Sequence, residues 1–328
     1  MKSIIWNMTR QCAWNCKFCC VAAKYVGHFN RDKIGFKLQD DELSFEDKIK
    51  IIDQLKRGDY RIDFSGGDLL IDPSNLEVVL YASEKLGSEN VGMSVSGAFL
   101  DDATIERIAG KVHDVELTLD RIPFEYDINR PVGYHEYNAN AAVRLRKAGV
   151  RVGIQTVLTK SNIDKESIDK LFDWLVKNDM NEWSLIRFFQ SGRGANFENL
   201  EPSHKEYCDV VDYIKEISEG KNVEVHFQYL LPNHDGYTLD CRAVRKSIGI
   251  LPDGTVTSCF WGLDSDMKPK DEKYLLGKLP KENIYDVLSN EKSKYWCDGC
   301  HSCEIFTFGR LENKDSDNND IENLPKAN

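Results

Sequence analysis

Short apolar runs alternate with amphipathic stretches along the first two thirds of the chain. In the amphipathic stretches, apolar residues recur at the spacing of a helix face, as in Ile168, Leu171, Phe172 and Leu175. The apolar runs predict six strands, at 3–8, 60–64, 91–95, 114–119, 150–158 and 182–188. Strands that alternate with helices predict parallel βα units joined by right-handed crossovers. The expected fold is therefore α/β, a partial (β/α)6 barrel of the TIM-like kind, with its chemistry at the carboxyl ends of the strands.

Polar residues that can cap helices precede three of the amphipathic stretches. Ser44 stands just before one helical pattern, and Pro73 follows Asp72 at a helix start, where its missing N–H costs least. Ser203 and Glu206 form the capping-box pattern before a third helix. These start signals support the assignment of helices between the strands.

The pattern changes after about residue 220, where helical periodicity fades. Two short strand-like runs, 247–251 and 255–258, are joined by a Pro-Asp-Gly turn, which is a hairpin signal. We therefore expect three parts, namely a barrel over 1–220, a small β-hairpin-plus-helix domain over 221–310 and a disordered acidic tail over 311–328.

The charge of the chain limits its partners. Among its 328 residues, 43 Lys and Arg stand against 54 Asp and Glu, which gives a formal net charge of -11. An acidic chain without a basic cluster argues against a nucleic-acid substrate. Since no apolar stretch is long enough to cross a bilayer and no secretory signal is present, we expect no membrane association and a cytoplasmic location. In that compartment, grouped cysteines indicate metal binding more often than disulfides.

Three of the 10 cysteines form a C-x3-C-x2-C pattern directly after the first predicted strand. Cys12, Cys16 and Cys19 offer three thiolates to one metal centre, and Phe18 immediately precedes the third. Three thiolates leave a four-iron cubane one ligand short, and an open iron position can bind and reduce a small molecule. A structural zinc site and ordinary buried thiols are the alternatives. Zinc would need a fourth ligand nearby, and the adjacent Cys20 suits a single tetrahedral site poorly.

The pattern resembles the signature of the radical S-adenosylmethionine (radical SAM) enzymes, C-x3-C-x-aromatic-C. In that family, three cysteines hold a [4Fe-4S] cluster whose fourth iron is chelated by S-adenosylmethionine. The resemblance implies these roles for Cys12, Cys16, Cys19 and the cofactor. It also implies reductive cleavage of S-adenosylmethionine to methionine and a 5′-deoxyadenosyl radical, which abstracts a substrate hydrogen. The sequence identifies no catalytic side chain for the later steps.

Two further segments resemble cofactor-binding motifs of the same family. Gly66, Gly67 and Asp68 follow the second predicted strand and look like the Gly-Gly-Glu motif that holds the methionine amino group. By itself, a Gly-Gly pair is only a turn signal. Ser96, at the end of the third strand, stands where the family has Asn before Gly. The resemblance implies that these residues and Phe18 contact the cofactor.

The segment 116–130, which begins in the last part of the fourth predicted strand, resembles the peptide-modifying branch of the family. Thr118 and Arg130 stand where that branch has a Ser and a distal Arg that contact S-adenosylmethionine, the Arg by pairing with the cofactor carboxylate. Gln155 and Arg187 resemble cofactor-facing positions of the fifth and sixth strands. For those two residues, packing inside the barrel is an equal alternative. For Arg130, the alternative is a solvated surface guanidinium.

Five cysteines in the last third of the chain resemble the auxiliary-cluster region called SPASM, or Twitch in its one-cluster form. The resemblance implies one auxiliary [4Fe-4S] cluster. Its ligands would be Cys241, Cys259, Cys297 and either Cys300 or Cys303. Five cysteines are too few to close two all-cysteine cubanes. The same residues taken alone fit a zinc ribbon about equally well.

These features favour an enzyme that modifies a ribosomally synthesised peptide by oxidation, cross-linking or epimerisation. The spacing of Cys241 and Cys259 also resembles small-molecule members such as aminocyclitol dehydrogenases. A zinc or iron–sulfur binding protein without enzymatic activity is the alternative from another class. The expected partners are S-adenosylmethionine, a substrate and a reductant such as flavodoxin or ferredoxin. Because the first cysteine of the pattern is at position 12, a leader-binding protein is expected to be a separate chain or not to be required.

Overall fold

The structure, a computed structural model, describes residues 2–27, 41–56, 58–228, 231 and 241–298. Its strands are β1 (Lys2–Asn7), β2 (Gln11–Cys12), β3 (Lys24–Tyr25), β4 (Tyr60–Ser65), β5 (Val91–Ser94), β6 (Asp114–Thr118), β7 (Arg151–Leu158), β8 (Glu182–Arg187), β9 (Glu224–Phe227), β10 (Ser247–Ile250), β11 (Thr255–Thr257) and β12 (Leu275–Lys278). Ten of them form a sheet in the order β12-β11-β10-β1-β4-β5-β6-β7-β8-β9, and β2 pairs with β3.

The helices of the described residues cover the sheet and connect its strands. They are α1 (Phe45–Leu55), α2 (Pro73–Leu86), α3 (Asp102–Ile108), α4 (Tyr134–Lys147), α5 (Lys165–Lys177), α6 (His204–Ser218), α7 (Ile284–Ser289) and α8 (Glu291–Asp298). The three helix starts that the sequence predicts are present in the structure. The side chains of Ser44, Asp72 and Ser203 each accept a backbone N–H of the first turn, and Ser203 forms the full capping box with Glu206. No helix in this part of the chain is both long and apolar enough to span a bilayer.

The predicted α/β fold is confirmed. The six expected strands correspond to β1, β4, β5, β6, β7 and β8, each within one residue at either end. Successive strands from β1 to β9 along the sheet pair in parallel, as βα units require. Their carboxyl ends therefore meet along one edge of the sheet, where the sequence predicts the chemistry.

The predicted hairpin is present as β10 and β11, which pair antiparallel. β10 also pairs in parallel with β1, with Ser3 opposite Ser247. The hairpin thus continues the barrel sheet beyond its first strand. The division of the chain at residue 220 stays a prediction, and the expected tail over 311–328 lies outside the described residues.

The two faces of the sheet differ in polarity. On β4, Ile62 and Phe64 point into the hydrophobic core that the sheet shares with its helices. Their neighbours Arg61, Asp63 and Ser65 line an interior cavity on the opposite face. Since successive side chains of a strand point to opposite faces, this alternation gives the partial barrel an apolar outer layer and a polar interior.

Candidate active site at the carboxyl ends of the strands

A cavity of about 820 Å³ runs along the inner face of the sheet and reaches the loop after β1. The predicted site residues that line it are Cys12, Cys16, Phe18, Cys19, Gly66, Gly67, Ser96, Thr118, Arg130, Gln155, Arg187, Cys241 and Cys259. Asp68 and Cys297 are not among the residues that line it. Cys300 and Cys303 lie outside the described residues. The fold therefore gathers most of the predicted positions around one space.

The segment between β1 and β3, which includes β2 and which we call the cysteine loop, carries the three cysteines of the opening pattern. Cys12 and Cys16 are buried, Cys19 is half-buried, and all three are free thiols. All three line the cavity. Free thiols that face a common space from one loop are a donor set that fits an iron–sulfur cluster.

Ser96 and Asp68 form a chain of hydrogen bonds with Trp14 of the cysteine loop. The indole Nε1 of Trp14, within that loop, donates to Ser96 Oγ at 2.9 Å. The Ser96 hydroxyl in turn donates to Asp68 Oδ2, and Asp68 Oδ1 accepts the Leu70 N–H at 3.1 Å. Asp68 is fully buried. These hydrogen bonds give Asp68 a structural role, which its resemblance to a cofactor-binding carboxylate did not predict.

The Gly-Gly pair packs against the backbone that enters the cysteine loop. A Cβ atom at Gly67 would lie 2.2 Å from the Gln11 carbonyl oxygen, and one at Gly66 would lie 2.6 Å from that of Thr9. The Gly67 N–H donates to Thr9 and the Asp68 N–H donates to Gln11, both at 2.8 Å. Only residues without a side chain allow this close approach. The two glycines thus help to position Cys12, whether or not they also contact the cofactor.

Arg130 lies between two aromatic rings beside the cysteine loop. Its guanidinium carbon is 4.4 Å from the Phe18 ring centroid and 4.8 Å from that of Tyr134. Its Nε donates to Asp120 at 2.6 Å, and both side chains of this ion pair are buried. Burial raises the pKa of the Cys16 thiol, and the charge and hydrogen bond of Arg130 oppose that rise. A solvated surface position for Arg130 is therefore excluded.

Three further predicted residues line the cavity from the strands. Thr118 and Gln155 are paired opposite each other on β6 and β7. Gln155 Nε2 donates to Glu116 at 2.6 Å, and Arg187 Nη2 donates to Glu201 at 2.6 Å. Gln155 and Arg187 thus have protein partners, as the packing alternative expects, and they also face the cavity.

The loop after β8 holds the cysteine loop, a contact that the sequence did not reveal. The guanidinium of Arg193 donates through Nε to the Cys16 carbonyl oxygen at 2.9 Å, and through Nη1 to that of Ala23. The Arg193 backbone N–H donates to the Cys19 carbonyl oxygen at 3.0 Å. The Ser-Gly-Arg run at 191–193 is visible in the sequence, but its pattern does not indicate which backbone it contacts. Arg193 is a positioning residue for the cysteines.

Replacing Arg193 by Leu is expected to weaken iron binding without removing a ligand. The carbonyls of Cys16 and Ala23 would lose their donors, and groups that orient metal ligands typically contribute about 10- to 100-fold to metal affinity. We expect the iron–sulfur absorbance to decay faster by a similar factor in the presence of an iron chelator. Arg146→Leu is the matched control, because Arg146 also donates to two backbone carbonyls, neither of them in the cysteine loop. Equal decay rates in both variants would contradict this role.

Two of the predicted auxiliary ligands reach the same cavity. Cys241 and Cys259 are half-buried and line it. Trp261, close to Cys259, stacks on Phe189 of the loop after β8, with 3.9 Å between the ring centroids. Cys297 is exposed on α8. Among the described residues, Cys241 and Cys259, which flank the hairpin, therefore reach the cavity, whereas Cys297 does not.

The fold and the cysteine loop define a class of protein, the parallel α/β barrels that hold an iron–sulfur cluster at the carboxyl ends of their strands. The model of the Radical SAM superfamily matches residues 6–175, which include the cysteine loop and the strands β4 to β7. The chain belongs to the Radical SAM superfamily. Membership implies a [4Fe-4S] cluster and S-adenosylmethionine, with cluster cysteines in this amino-terminal region.

Curated relatives share part of their length with this chain. It is 29% identical over 220 residues to the Fe-coproporphyrin III synthase of Methanosarcina barkeri, which covers 65% of this chain and 50% of that protein. It is 25% identical over 258 residues to the AdoMet-dependent heme synthase of Nitratidesulfovibrio vulgaris, covering 77% of this chain and 65% of the relative. The chain thus spans between half and two thirds of the length of these two relatives.

Solved structures share the fold at low sequence identity. Streptococcus suis SuiB bound to S-adenosylmethionine has a TM-score of 0.67 at 15% identity, over 88% of this chain and 64% of that chain. The native protein anSMEcpe with bound AdoMet has a TM-score of 0.64 at 16% identity, over 90% of this chain and 83% of that chain. At this identity, the likeness concerns the fold.

Proposed function

We propose that this chain reductively cleaves S-adenosylmethionine to a 5′-deoxyadenosyl radical and uses it to abstract a hydrogen from a ribosomally synthesised peptide. The observation that carries the proposal is the set of three free thiols that line the cavity from one segment, with the Arg130 guanidinium beside Cys16. Cys12, Cys16 and Cys19 would hold the [4Fe-4S] cluster. The cluster, when bound, supplies the electron that cleaves the cofactor.

The chain's own residues would bind the cofactor and exclude water. Arg130 is fixed by Asp120 and two aromatic rings, so its charge is preorganised for the carboxylate of S-adenosylmethionine. Thr118 and Ser96 line the same space. The cavity would place one substrate C–H bond near the radical, which is a matter of positioning more than of acid–base chemistry.

A peptide substrate is supported by the structural neighbours. SuiB is also known bound to the precursor peptide SuiA, with a TM-score of 0.66 to this chain. A cavity of about 820 Å³ admits a peptide side chain with its flanking backbone. A small polar molecule is the second candidate, and the charged residues that line the cavity from β4, β6 and β8 favour it. A cytoplasmic flavodoxin or ferredoxin would supply the electron, and a leader-binding protein would be a separate partner.

The proposal includes one auxiliary [4Fe-4S] cluster held by Cys241, Cys259 and carboxy-terminal cysteines. Anaerobically reconstituted wild-type protein is then expected to hold about eight iron atoms, and Cys259→Ala protein about four. Cys208→Ala is the control, because Cys208 is a buried thiol of α6 and does not line the cavity. Iron quantification and low-temperature EPR measure both. About four iron atoms in the wild type would remove the auxiliary cluster from the proposal.

Turnover tests the remainder of the proposal. Reconstituted protein with dithionite should release 5′-deoxyadenosine, and a substrate peptide should change in mass, by about two hydrogens if it is oxidised. A protein that binds only zinc and releases no 5′-deoxyadenosine would overturn the proposed function. A mass change in a tetrapyrrole or a small polar molecule, with peptides unchanged, would overturn its substrate class.

A further inference from the structure

The cavity has a polar floor, which we define as the lining residues Arg61, Asp63, Asp114, Glu116, Gln155 and Glu182. They lie on the inner face of β4, β6, β7 and β8, Arg61, Asp114 and Glu182 near the amino ends of their strands and the other three near the middle. The cysteine loop and its arginines lie at the opposite, carboxyl ends. The cofactor contacts proposed above use only Gln155 of this set.

One side of the polar floor is a fixed ion-pair group. Arg61 Nη2 lies 3.0 Å from Asp63 and 2.7 Å from Asp114. Gly92, on the strand between them, makes room for it, because a Cβ atom there would lie 2.6 Å from both Arg61 Nη2 and Asp114 Oδ1. The three charged groups therefore hold one another in place and leave one net negative charge.

The other side carries a second group of the same kind. Arg151 Nε donates to Glu182 at 2.7 Å, and its Nη2 lies 2.8 Å from Glu224. Gly153 again leaves space, since a Cβ atom there would lie 3.4 Å from Glu116 Cγ and 3.5 Å from Glu182 Oε2. The two groups thus pair two arginines with four carboxylates, before Glu116 is counted, and of the second group only Glu182 lines the cavity.

Glu116 lies between these groups and has no ion pair among the described residues. Gln155 Nε2 donates to its Oε2 at 2.6 Å. Burial, together with the nearby carboxylates of Asp63 and Asp114, raises the pKa of Glu116 to about 8. Glu116 therefore carries a proton at neutral pH, and a cation placed beside it would release that proton.

A second, independent feature of the same cavity points to a ligand. Asn7, at the carboxyl end of β1, is 3% exposed and lines the cavity. Its Oδ1 accepts the Ser65 hydroxyl at 2.7 Å, but its Nδ2 finds no hydrogen-bond partner among the described residues. A buried amide donor without an acceptor is costly, and a ligand atom that accepts from it would remove that cost.

We infer that the polar floor binds a cationic group of the substrate, a primary amine or a guanidinium, on Glu116, while the Asn7 amide donates to an acceptor atom of the same molecule. The inference rests on the proposed function, because it names the substrate chemistry of that site. A charge-assisted hydrogen bond from the cation to a carboxylate flanked by further carboxylates is the strongest contact the floor offers. An anionic substrate group would meet the excess of negative charge there. Such a group would fit only near Arg130 and Arg193, at the carboxyl ends of the strands.

The inference predicts a pH dependence of binding. Cation binding requires ionised Glu116, so affinity is expected to rise about tenfold per pH unit between pH 6 and 7.5 and to level off above pH 8. Below the pKa the binding step releases one proton. The charged and titratable groups around Glu116 come from β4, β6, β7, β8 and β9 and from the residue just before β6. They are Arg61, Asp63, His113, Asp114, Arg151, Glu182, Glu224 and His226.

The test uses reconstituted full-length protein with S-adenosylmethionine, and two matched pairs of probes. N-acetyl-lysine amide with N-acetyl-norleucine amide represents a peptide source, and glucamine with sorbitol represents an amino-polyol source. Isothermal titration calorimetry in buffers of different ionisation enthalpy gives the affinity and the protons released. We expect an amine probe to bind at least about tenfold more tightly than its neutral partner, with proton release at pH 7. Which pair shows the difference identifies the source.

Glu116→Gln is expected to abolish both the preference for amines and the proton release. Glu106→Gln is the control, since Glu106 is an exposed carboxylate of α3. The pH series on wild-type protein gives the same information without a substitution. Equal binding of the amine and neutral probes, or an unchanged amine preference in Glu116→Gln protein, overturns the inference. Release of 5′-deoxyadenosine by the same preparation separates the two failures, because it reports on the proposed function alone.

Discussion

Cys16→Ala protein is expected to release no more 5′-deoxyadenosine than a control without enzyme, when it is incubated anaerobically with S-adenosylmethionine and dithionite. Cys16 is the middle thiol of the pattern and is 6% exposed. Its backbone carbonyl is held by Arg193, so no neighbouring thiol can move into its place without breaking that contact. Two remaining thiolates cannot retain the cluster, and iron content should fall together with the activity.

Cys20→Ala tests whether this loss is specific to the pattern. Cys20 lines the same cavity but lies outside the C-x3-C-x2-C spacing. The Cys20→Ala protein should therefore keep its iron. Metal analysis and the absorbance of the iron–sulfur cluster at about 400 nm measure this. Wild-type turnover by Cys16→Ala protein, or native protein that carries only zinc, would contradict the assignment of the three cysteines.

Most of the barrel is predictable from local signals in the sequence. The strands β1 and β4 to β8 are short segments with apolar residues in succession or at alternate positions, and several helices begin with a side chain that caps them. Helix α4 escaped prediction for a physical reason. It begins at Gly133, which has a left-handed backbone and no capping side chain, and it buries small residues such as Ala139, Ala141 and Ala142. Neither feature gives a strong hydrophobic period.

Contacts between distant segments are less visible in the sequence. The pairing of β10 with β1 joins residues about 244 positions apart, and a hairpin pattern does not indicate which sheet edge it will extend. The contact between Arg193 and Cys16 spans 177 positions. Family resemblance identified the cysteines themselves, but the arginine that holds their loop follows only from the folded arrangement.

The role of the polar floor is equally hard to predict from the sequence. Arg61, Asp63, Asp114 and Glu116 occupy alternate positions of two strands, which in the sequence are indistinguishable from the solvated side of a sheet. Closure of the sheet into a partial barrel turns that side inwards. The same alternation then lines an enclosed space, where burial shifts the protonation of Glu116.

Arg130→Met is expected to lower the free energy of unfolding by about 3–5 kcal/mol, because it leaves the buried carboxylate of Asp120 without its counter-ion. The two side chains are 8% and 3% exposed. Asp120 Oδ1 already accepts the Val157 N–H at 2.9 Å, so the carboxylate cannot turn towards another donor without breaking that bond. Urea denaturation followed by circular dichroism measures the loss in protein without cluster, which separates it from any effect on cofactor binding.

Two further variants decide whether the buried ion pair is the cause. Asp120→Asn combined with Arg130→Met removes both charges, and we expect it to recover about 1–3 kcal/mol relative to the sum of the single losses. Arg107→Met breaks an ion pair of similar length, 2.7 Å to Glu77, whose side chains are 44% and 51% exposed. Because water screens that pair, its loss should cost less than about 1 kcal/mol. Equal losses of stability in the Arg130→Met and Arg107→Met proteins would contradict this explanation. The Arg130 guanidinium would then behave as a solvent-exposed group, and it could not provide a buried positive charge for the cofactor.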